Sequence, residues 1–168
     1  IETRIDDKKL IRVLISVAAA LVIFNIANVL LGEPSWQITR MCDLDTESNF
    51  STWFSSSLLA IAAFMAYQVV IVSGQDRGRH LWKVVVVILI LMSCDETAMI
   101  HENVGVFFQK HIIDLSQLKG SPWLVVLGVP ALIGALVLVR KLNSYIKTSN
   151  ARKFLGAGLL CYITGAFL

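Results

Sequence analysis

The residues best suited to chemistry lie close together in one segment of the chain. Asp95, Glu96, His101 and Glu102 fall within eight consecutive positions, and carboxylate and imidazole groups serve as metal ligands and as general acids or bases. We therefore take these four residues as the candidate catalytic residues. On a continuous helix, Asp95 and Glu102 share a face but lie about 10 Å apart along the axis, too far to bind one ion directly. A divalent metal would need a further ligand, for which His111 is the candidate alongside His101 and Glu102.

Hydrophobic helices are the elements that must position this segment. The chain has 168 residues, of which 56% are hydrophobic and 16% are charged, whereas soluble domains contain about 25% charged residues. We predict an all-α, polytopic bundle of about five transmembrane helices, forming a single domain over 1–168. The helices are expected near 12–32, 53–73, 81–103, 122–140 and 154–168. Because the last segment is short and the chain begins at Ile1, we expect the sequence to be a fragment, truncated at both ends.

The positions of lysine and arginine predict the orientation of the bundle. Twelve of the fifteen basic residues lie before the first span, between the second and third, or between the fourth and fifth. The alternate loops contain only Arg40, Lys110 and Lys119. Because loops rich in basic residues stay in the cytoplasm, we predict a cytoplasmic N-terminus. The acidic loop over 33–47, which ends with Glu47, then lies outside.

The polar run of the third span is expected to lie within the membrane. The apolar stretch Val84–Leu91 is too short to cross a bilayer, and Asp95 lies roughly 21 Å from the start of the span. A charged side chain near a helix centre costs about 2.5–3.5 kcal/mol, so neighbouring helices should supply polar partners. Asn25 and Asn28 on the first helix and Ser57 on the second reach a similar depth. We predict these three residues as buried partners of the two acidic residues.

An amphipathic helix is predicted directly after the third span. Apolar residues such as Phe107, Phe108 and Ile112 recur at helical spacing over 104–116, with polar residues between them. This pattern is typical of a helix that lies in the membrane interface. It could cover the polar cluster or bind a partner protein.

The run CDETAMIHE, residues 94–102, resembles a signature of small bacterial polytopic membrane proteins of uncharacterised function. In those proteins an LDE sequence is followed after four residues by HE. The resemblance implies that Asp95, Glu96, His101 and Glu102 are the marked positions of that family. It covers this run and the general helical layout, and Cys94 stands where leucine is usual. A fainter likeness to alkaline ceramidase-type membrane hydrolases rests on the Asp-Glu pair, but the histidine-rich zinc motifs of those enzymes are missing from this sequence.

Two functions are compatible with these features. The leading hypothesis is an accessory or structural subunit of the bacterial inner membrane, packed against other membrane protein subunits and bound to lipid, because nucleotide-binding and metalloprotease motifs are missing. The alternative is a membrane-embedded metal-dependent hydrolase, or a protein that handles protons or ions with the acidic and histidine cluster. Nucleic acid is not an expected partner, because the net charge is only +3 and the basic residues are dispersed.

Overall fold

Helices make up the part of the chain that the computed structural model describes, which comprises residues 7–44, 46–73, 78–111, 124–146 and 149–167. The elements are α1 (Asp7–Leu30), α2 (Trp36–Cys42), α3 (Phe50–Val72), α4 (Gly78–Ala98), α5 (Ile100–His111), a π-helical turn (Leu124–Gly128), α6 (Val129–Asn143) and α7 (Ser149–Phe167). No strand occurs in these ranges. The all-α fold class is therefore confirmed.

Several of these helices have the length and composition of membrane spans. Lys8–Leu30, Phe50–Val72 and Val126–Asn143 qualify alone, and α4 with α5 qualifies as a bent pair, which gives three or four spans among the described residues. Large apolar side chains on them face outward; Ile23, for example, is 63% exposed. Such contiguous apolar surface suits lipid rather than water as the solvent. The membrane-protein class is thus supported, while the count of about five spans stays a prediction.

The core of the described chain lies between α3 and α4, which form an antiparallel hairpin and pack against each other more extensively than any other pair of helices. Ala63, Ala66 and Val70 of α3 are 4%, 6% and 3% exposed. They recur at the spacing of one helix face. Small residues on such a face let two backbones approach closely, which is the main source of helix association where lipid surrounds both helices.

A glycine and an aromatic ring bring α6 against one end of this hairpin. A Cβ atom on Gly78 would lie 3.1 Å from Cδ1 of Tyr145, so the absence of a side chain allows the ring to pack on the start of α4. Arg79 and Lys83 follow Gly78, and Arg140 lies near the end of α6. We call this the basic end of the hairpin, and the opposite end, where α3 begins and α4 finishes, the polar end.

The fourth predicted span, 122–140, begins with a change of helix type. The π-helical turn Leu124–Gly128 leads into α6, and Pro130 lies in the first turn of α6. Proline costs little there, because the first N–H groups of a helix have no intrahelical acceptor.

The third predicted span is broken, which corrects the expectation of one continuous helix over 81–103. α4 ends at Ala98, α5 begins at Ile100, and the two axes are bent by 73°. Met99 between them has a φ of 54°, and its N–H donates to the carbonyl oxygen of Asp95 at 2.8 Å. This is the left-handed conformation that ends many helices. The apolar pattern could not reveal the break, because one left-handed residue turns the chain without altering the pattern.

The predicted interfacial helix over 104–116 corresponds to α5, which begins four residues earlier, at Ile100. Its last predicted residues, 112–116, lie outside the described residues. The bend therefore brings the polar residues at the start of α5 next to the end of α4, where the candidate site lies.

Candidate metal centre

Asp95 and His101 form a direct pair across the break between α4 and α5. One carboxylate oxygen of Asp95, Oδ1, accepts a hydrogen bond from the backbone N–H of His101 at 2.7 Å. The other, Oδ2, lies 2.9 Å from Nδ1 of the His101 ring. The first contact caps the first turn of α5, whose N–H groups need acceptors outside the helix. The second fixes the ring, so that Nδ1 donates to the carboxylate and Nε2 keeps a lone pair for another partner.

Glu47 approaches the same histidine from a distant part of the sequence. Its Oε1 lies 3.8 Å from Nε2 of His101, and the two side chains are 24% and 19% exposed. Glu102, the next residue along α5, completes a group in which one potential ligand atom from each of Glu47, His101 and Glu102 lies within 4.8 Å of the other two. The fold thus brings together donors from either side of the α3–α4 hairpin.

Asn49 holds the segment that carries Glu47. Its amide nitrogen donates to the carbonyl oxygens of Asp43 and Thr46, each at 2.6 Å. Its Oδ1 accepts the N–H of Thr52 at 3.0 Å, which is the N-cap contact of α3. Asparagine is among the best N-cap residues. The start of α3 and the position of Glu47 are therefore set by one side chain.

The pKa of Glu47 is raised above its ordinary value. Burial is the largest cause, and the neighbouring Glu102 carboxylate raises the pKa further, whereas His101 lowers it. The Oε2 atom of Glu47 is buried and has no hydrogen-bond partner among the described residues. A buried carboxylate oxygen without a donor is unfavourable, and a bound cation would provide the missing positive charge.

The donor set fits a divalent transition metal. One imidazole nitrogen and two carboxylates suit zinc and its neighbours, whose bonds of about 2.1 Å place tetrahedral donors about 3.4 Å apart. Ligand atoms that lie within 4.8 Å of one another would need to approach by up to about 1.4 Å, which rotation of glutamate side chains can supply. Three protein ligands leave a coordination position for water or substrate.

His111, a predicted ligand, lies away from this cluster. It is ten residues beyond His101 on α5, which corresponds to about 15 Å along the axis. Its ring stacks on Phe107 with centroids 4.7 Å apart, and its Nδ1 lies 3.0 Å from the Phe107 carbonyl oxygen. Glu47 takes the place in the cluster that the sequence analysis assigned to His111.

The predicted polar partners of the two acidic residues of α4 also differ from the observed ones. Asn25 donates to the carbonyl oxygen of Cys42 at 3.1 Å, and Asn28, which is 5% exposed, donates to Oγ1 of Thr39 at 3.2 Å. Both amides thus hold α2 along the last turns of α1. Ser57 donates to the Trp53 carbonyl oxygen of its own helix at 2.8 Å. Residue counts along the helices predicted a similar depth for these groups. However, α2 folds back along α1 and provides other acceptors for the two asparagines.

Two other serines of α3 lie close to α4. Ser55 and Glu96 line one cavity. Ser56 and Ser93 exchange hydrogen bonds with each other's carbonyl oxygens, at 2.8 and 2.9 Å. Glu96 lies three residues beyond Ser93 and is therefore level with the first two turns of α3. The acidic pair lies near the polar end of the hairpin rather than halfway along it.

Glu47 is the residue of this cluster that the sequence analysis did not select. One signal could have identified it, because the predicted topology placed the 33–47 loop and the end of the third span on the same side of the membrane. Proximity of Glu47 to His101 in particular depended on the bend at Met99. The catalytic roles assigned to Asp95, Glu96, His101 and Glu102 stay predictions.

Comparison with known proteins gives a family but no activity. No curated protein and no solved structure matches the chain significantly. Residues 13–168 match a family described as a domain of unknown function, DUF8692. Because this match covers nearly the whole chain, from the first turns of α1 to the last residue, the protein belongs to the DUF8692 family.

Proposed function

We propose that this protein is a membrane protein that binds a divalent transition-metal ion at the polar end of the α3–α4 hairpin, through Glu47, His101 and Glu102. The observation that carries the proposal is the convergence of these three donors within 4.8 Å. A carboxylate, Asp95, also holds the far side of the His101 ring at 2.9 Å. Metal-binding histidines almost always have such a partner on the nitrogen that does not bind the metal.

The chemistry that fits this arrangement is hydrolysis. A divalent ion with an open coordination position lowers the pKa of bound water and polarises a carbonyl or phosphoryl group. Closed structural sites instead use four protein ligands. The arrangement therefore favours a metal-dependent membrane hydrolase over an accessory subunit, for which the described contacts offer no specific support.

The distribution of basic residues supports placing the site at the outer face of a bacterial inner membrane. Basic residues such as Arg79, Lys83 and Arg140 lie at the opposite end of the hairpin. At that end Gly78 packs against the ring of Tyr145. Under the positive-inside rule, that end is cytoplasmic. The polar end then faces the outside, and the axis of α5 is bent by 73° from that of α4 there.

Metal titration of the purified protein tests the proposal. After removal of metal with a chelator, calorimetric titration with Zn²⁺ and absorption spectra with Co²⁺ should show one bound ion per chain. Replacement of any one ligand, as in Glu47→Gln, His101→Gln or Glu102→Gln, should weaken binding by at least about tenfold, since each removes one of three protein ligands.

Matched controls separate ligand loss from general damage. His80→Gln removes an exposed histidine at the basic end of α4, and Glu33→Gln removes an exposed glutamate from the loop after α1. Both should bind Zn²⁺ as the original protein does. Unaltered affinity in all three ligand variants would overturn the metal site, and a partner protein that co-purifies in a fixed ratio without bound metal would favour the accessory subunit.

A further inference from the structure

A cavity of about 420 Å³ opens beside the metal cluster, between the polar end of the hairpin and α1. One wall consists of apolar residues of α1, namely Ala18, Leu21 and Val22. The rest of the lining forms a second, mainly polar wall, which includes Glu47 and Glu96 together with the apolar residues Leu44 and Phe54. Its volume falls in the range of small-molecule sites. The two walls therefore offer an apolar and a polar surface to one ligand.

The charge of the lining selects the head group of that ligand. Two glutamates line the cavity, and no lysine, arginine or histidine does among the described residues. Ser55, which also lines the cavity, carries no charge. In the metal-free protein, an anionic group would be repelled by these carboxylates, whereas an ammonium group can donate hydrogen bonds to them.

The apolar wall selects the rest of the ligand. Ala18, Leu21 and Val22 belong to α1, which is long and apolar enough to span a membrane. Val22 is 44% exposed and its neighbour Ile23 is 63% exposed, so the wall continues into exposed apolar surface that suits contact with lipid chains. An alkyl chain can lie along α1 while its head group reaches the carboxylates.

From these two walls we propose that the cavity binds an amphiphile with a protonated amino head group and an alkyl chain. The inference goes beyond the metal site, because Glu96 and the α1 wall are not part of the metal cluster. Glu47 belongs to both the cavity lining and the metal cluster, so an amine bound against Glu96 would lie beside the metal cluster. The amine site would then present a lipid-like molecule to the metal centre.

Binding of dodecylamine to the purified, metal-free protein tests this assignment. Dodecylamine should bind, and dodecanol and dodecanoate, which have the same chain length but no cationic head group, should bind at least about tenfold more weakly, as expected for loss of a hydrogen bond to a charged group. Glu96→Gln should weaken dodecylamine binding by a similar factor. Glu33→Gln, a carboxylate change outside the cavity, should not.

A second pair of variants tests the apolar wall. Ala18→Leu fills the cavity, whereas Ala19→Leu adds the same atoms to an exposed position on the adjacent face of α1. The first should weaken dodecylamine binding and the second should not. Equal binding of the amine, alcohol and carboxylate, or equal effects of the two leucine variants, would overturn the proposal.

The source of the amine can be determined in the same experiments. If native mass spectrometry of the protein extracted from vesicles of phosphatidylethanolamine and phosphatidylcholine shows selective retention of the aminolipid, and Glu96→Gln abolishes it, the bilayer is the source. Binding of dodecylamine without such retention assigns a free amine, and failure of both overturns the proposal. Glu102→Gln distinguishes this site from the metal centre, because it should weaken Zn²⁺ binding by at least about tenfold and leave amine binding unchanged.

Discussion

Replacement of Asp95 separates its two contacts with His101. In Asp95→Asn, the remaining carbonyl oxygen can still accept the backbone N–H of His101, which is bonded at 2.7 Å. The amide nitrogen of the new side chain, however, donates a hydrogen bond to Nδ1. The original carboxylate instead accepts a hydrogen bond from Nδ1, at 2.9 Å. This favours the tautomer with a proton on Nε2, the atom that faces Glu47.

The expected loss follows from the role of a carboxylate behind a metal-binding histidine. Removal of such a partner typically weakens metal binding about 10–100-fold, which corresponds to about 1.4–2.8 kcal/mol. Asp95→Asn should show this loss while α5 stays capped. Asp95→Ala should show the same loss and, because it also removes the cap, should destabilise α5 by about 1 kcal/mol more.

Two measurements distinguish these effects. Calorimetric titration with Zn²⁺ gives the change in affinity, and amide hydrogen exchange in the first turn of α5 reports the cap. Asp95→Asn should alter the first and leave the second nearly unchanged, whereas Asp95→Ala should alter both. If Asp95→Asn binds Zn²⁺ as tightly as the original protein, the assignment of His101 as a ligand held by Asp95 is refuted.

Three further predictions follow from the described contacts. Met99 has a φ of 54°, so Met99→Gly should be tolerated. Met99→Pro should lower the melting temperature and abolish Zn²⁺ binding, because the proline ring requires a negative φ. Retention of binding in the proline variant would contradict the bend. Ser93→Ala should destabilise the hairpin by about 0.6–1.7 kcal/mol. A double-mutant cycle with Ser56→Ala should show coupling between the two serines. Additive losses of stability would mean that the two serines do not interact. Because the pKa of Glu47 is raised by burial and by Glu102, the stability that this carboxyl contributes to the metal-free protein should be lost as the pH rises through that pKa, while Zn²⁺ affinity should rise over the same interval. Titrations across pH should show a weaker pH dependence of Zn²⁺ affinity in Glu47→Gln than in the original protein. An unchanged profile in that variant would exclude Glu47 as a ligand.

The selection of residues near the site was partly possible from sequence. Acidic residues and a histidine in an otherwise apolar helix are conspicuous, because charge within a span is costly. His101 and Glu102 were selected on that basis and lie together in the structure, at the start of α5. Glu47 was not selected, because a glutamate in a polar loop has no comparable signal.

The polar partners of Asp95 and Glu96 also could not be predicted from the sequence. Counting residues along helices placed Asn25 and Ser57 at the depth of the acidic pair, but depth along an axis does not determine the direction in which a side chain bonds. Asn25 instead contacts Cys42 of the folded-back helix α2. Ser55, two positions before Ser57, is the serine that lines a cavity together with Glu96.

The amino-acid sequence by itself determined the membrane class and the all-α fold, because hydrophobicity and helical periodicity are properties of short stretches of chain. Only the tertiary structure decided which groups meet. His101 contacts Asp95 because one left-handed residue, Met99, turns the chain by 73°, and it lies 3.8 Å from Glu47 because α3 and α4 pack as a hairpin. Contacts between residues 54 positions apart depend on that packing, and no local pattern encodes them.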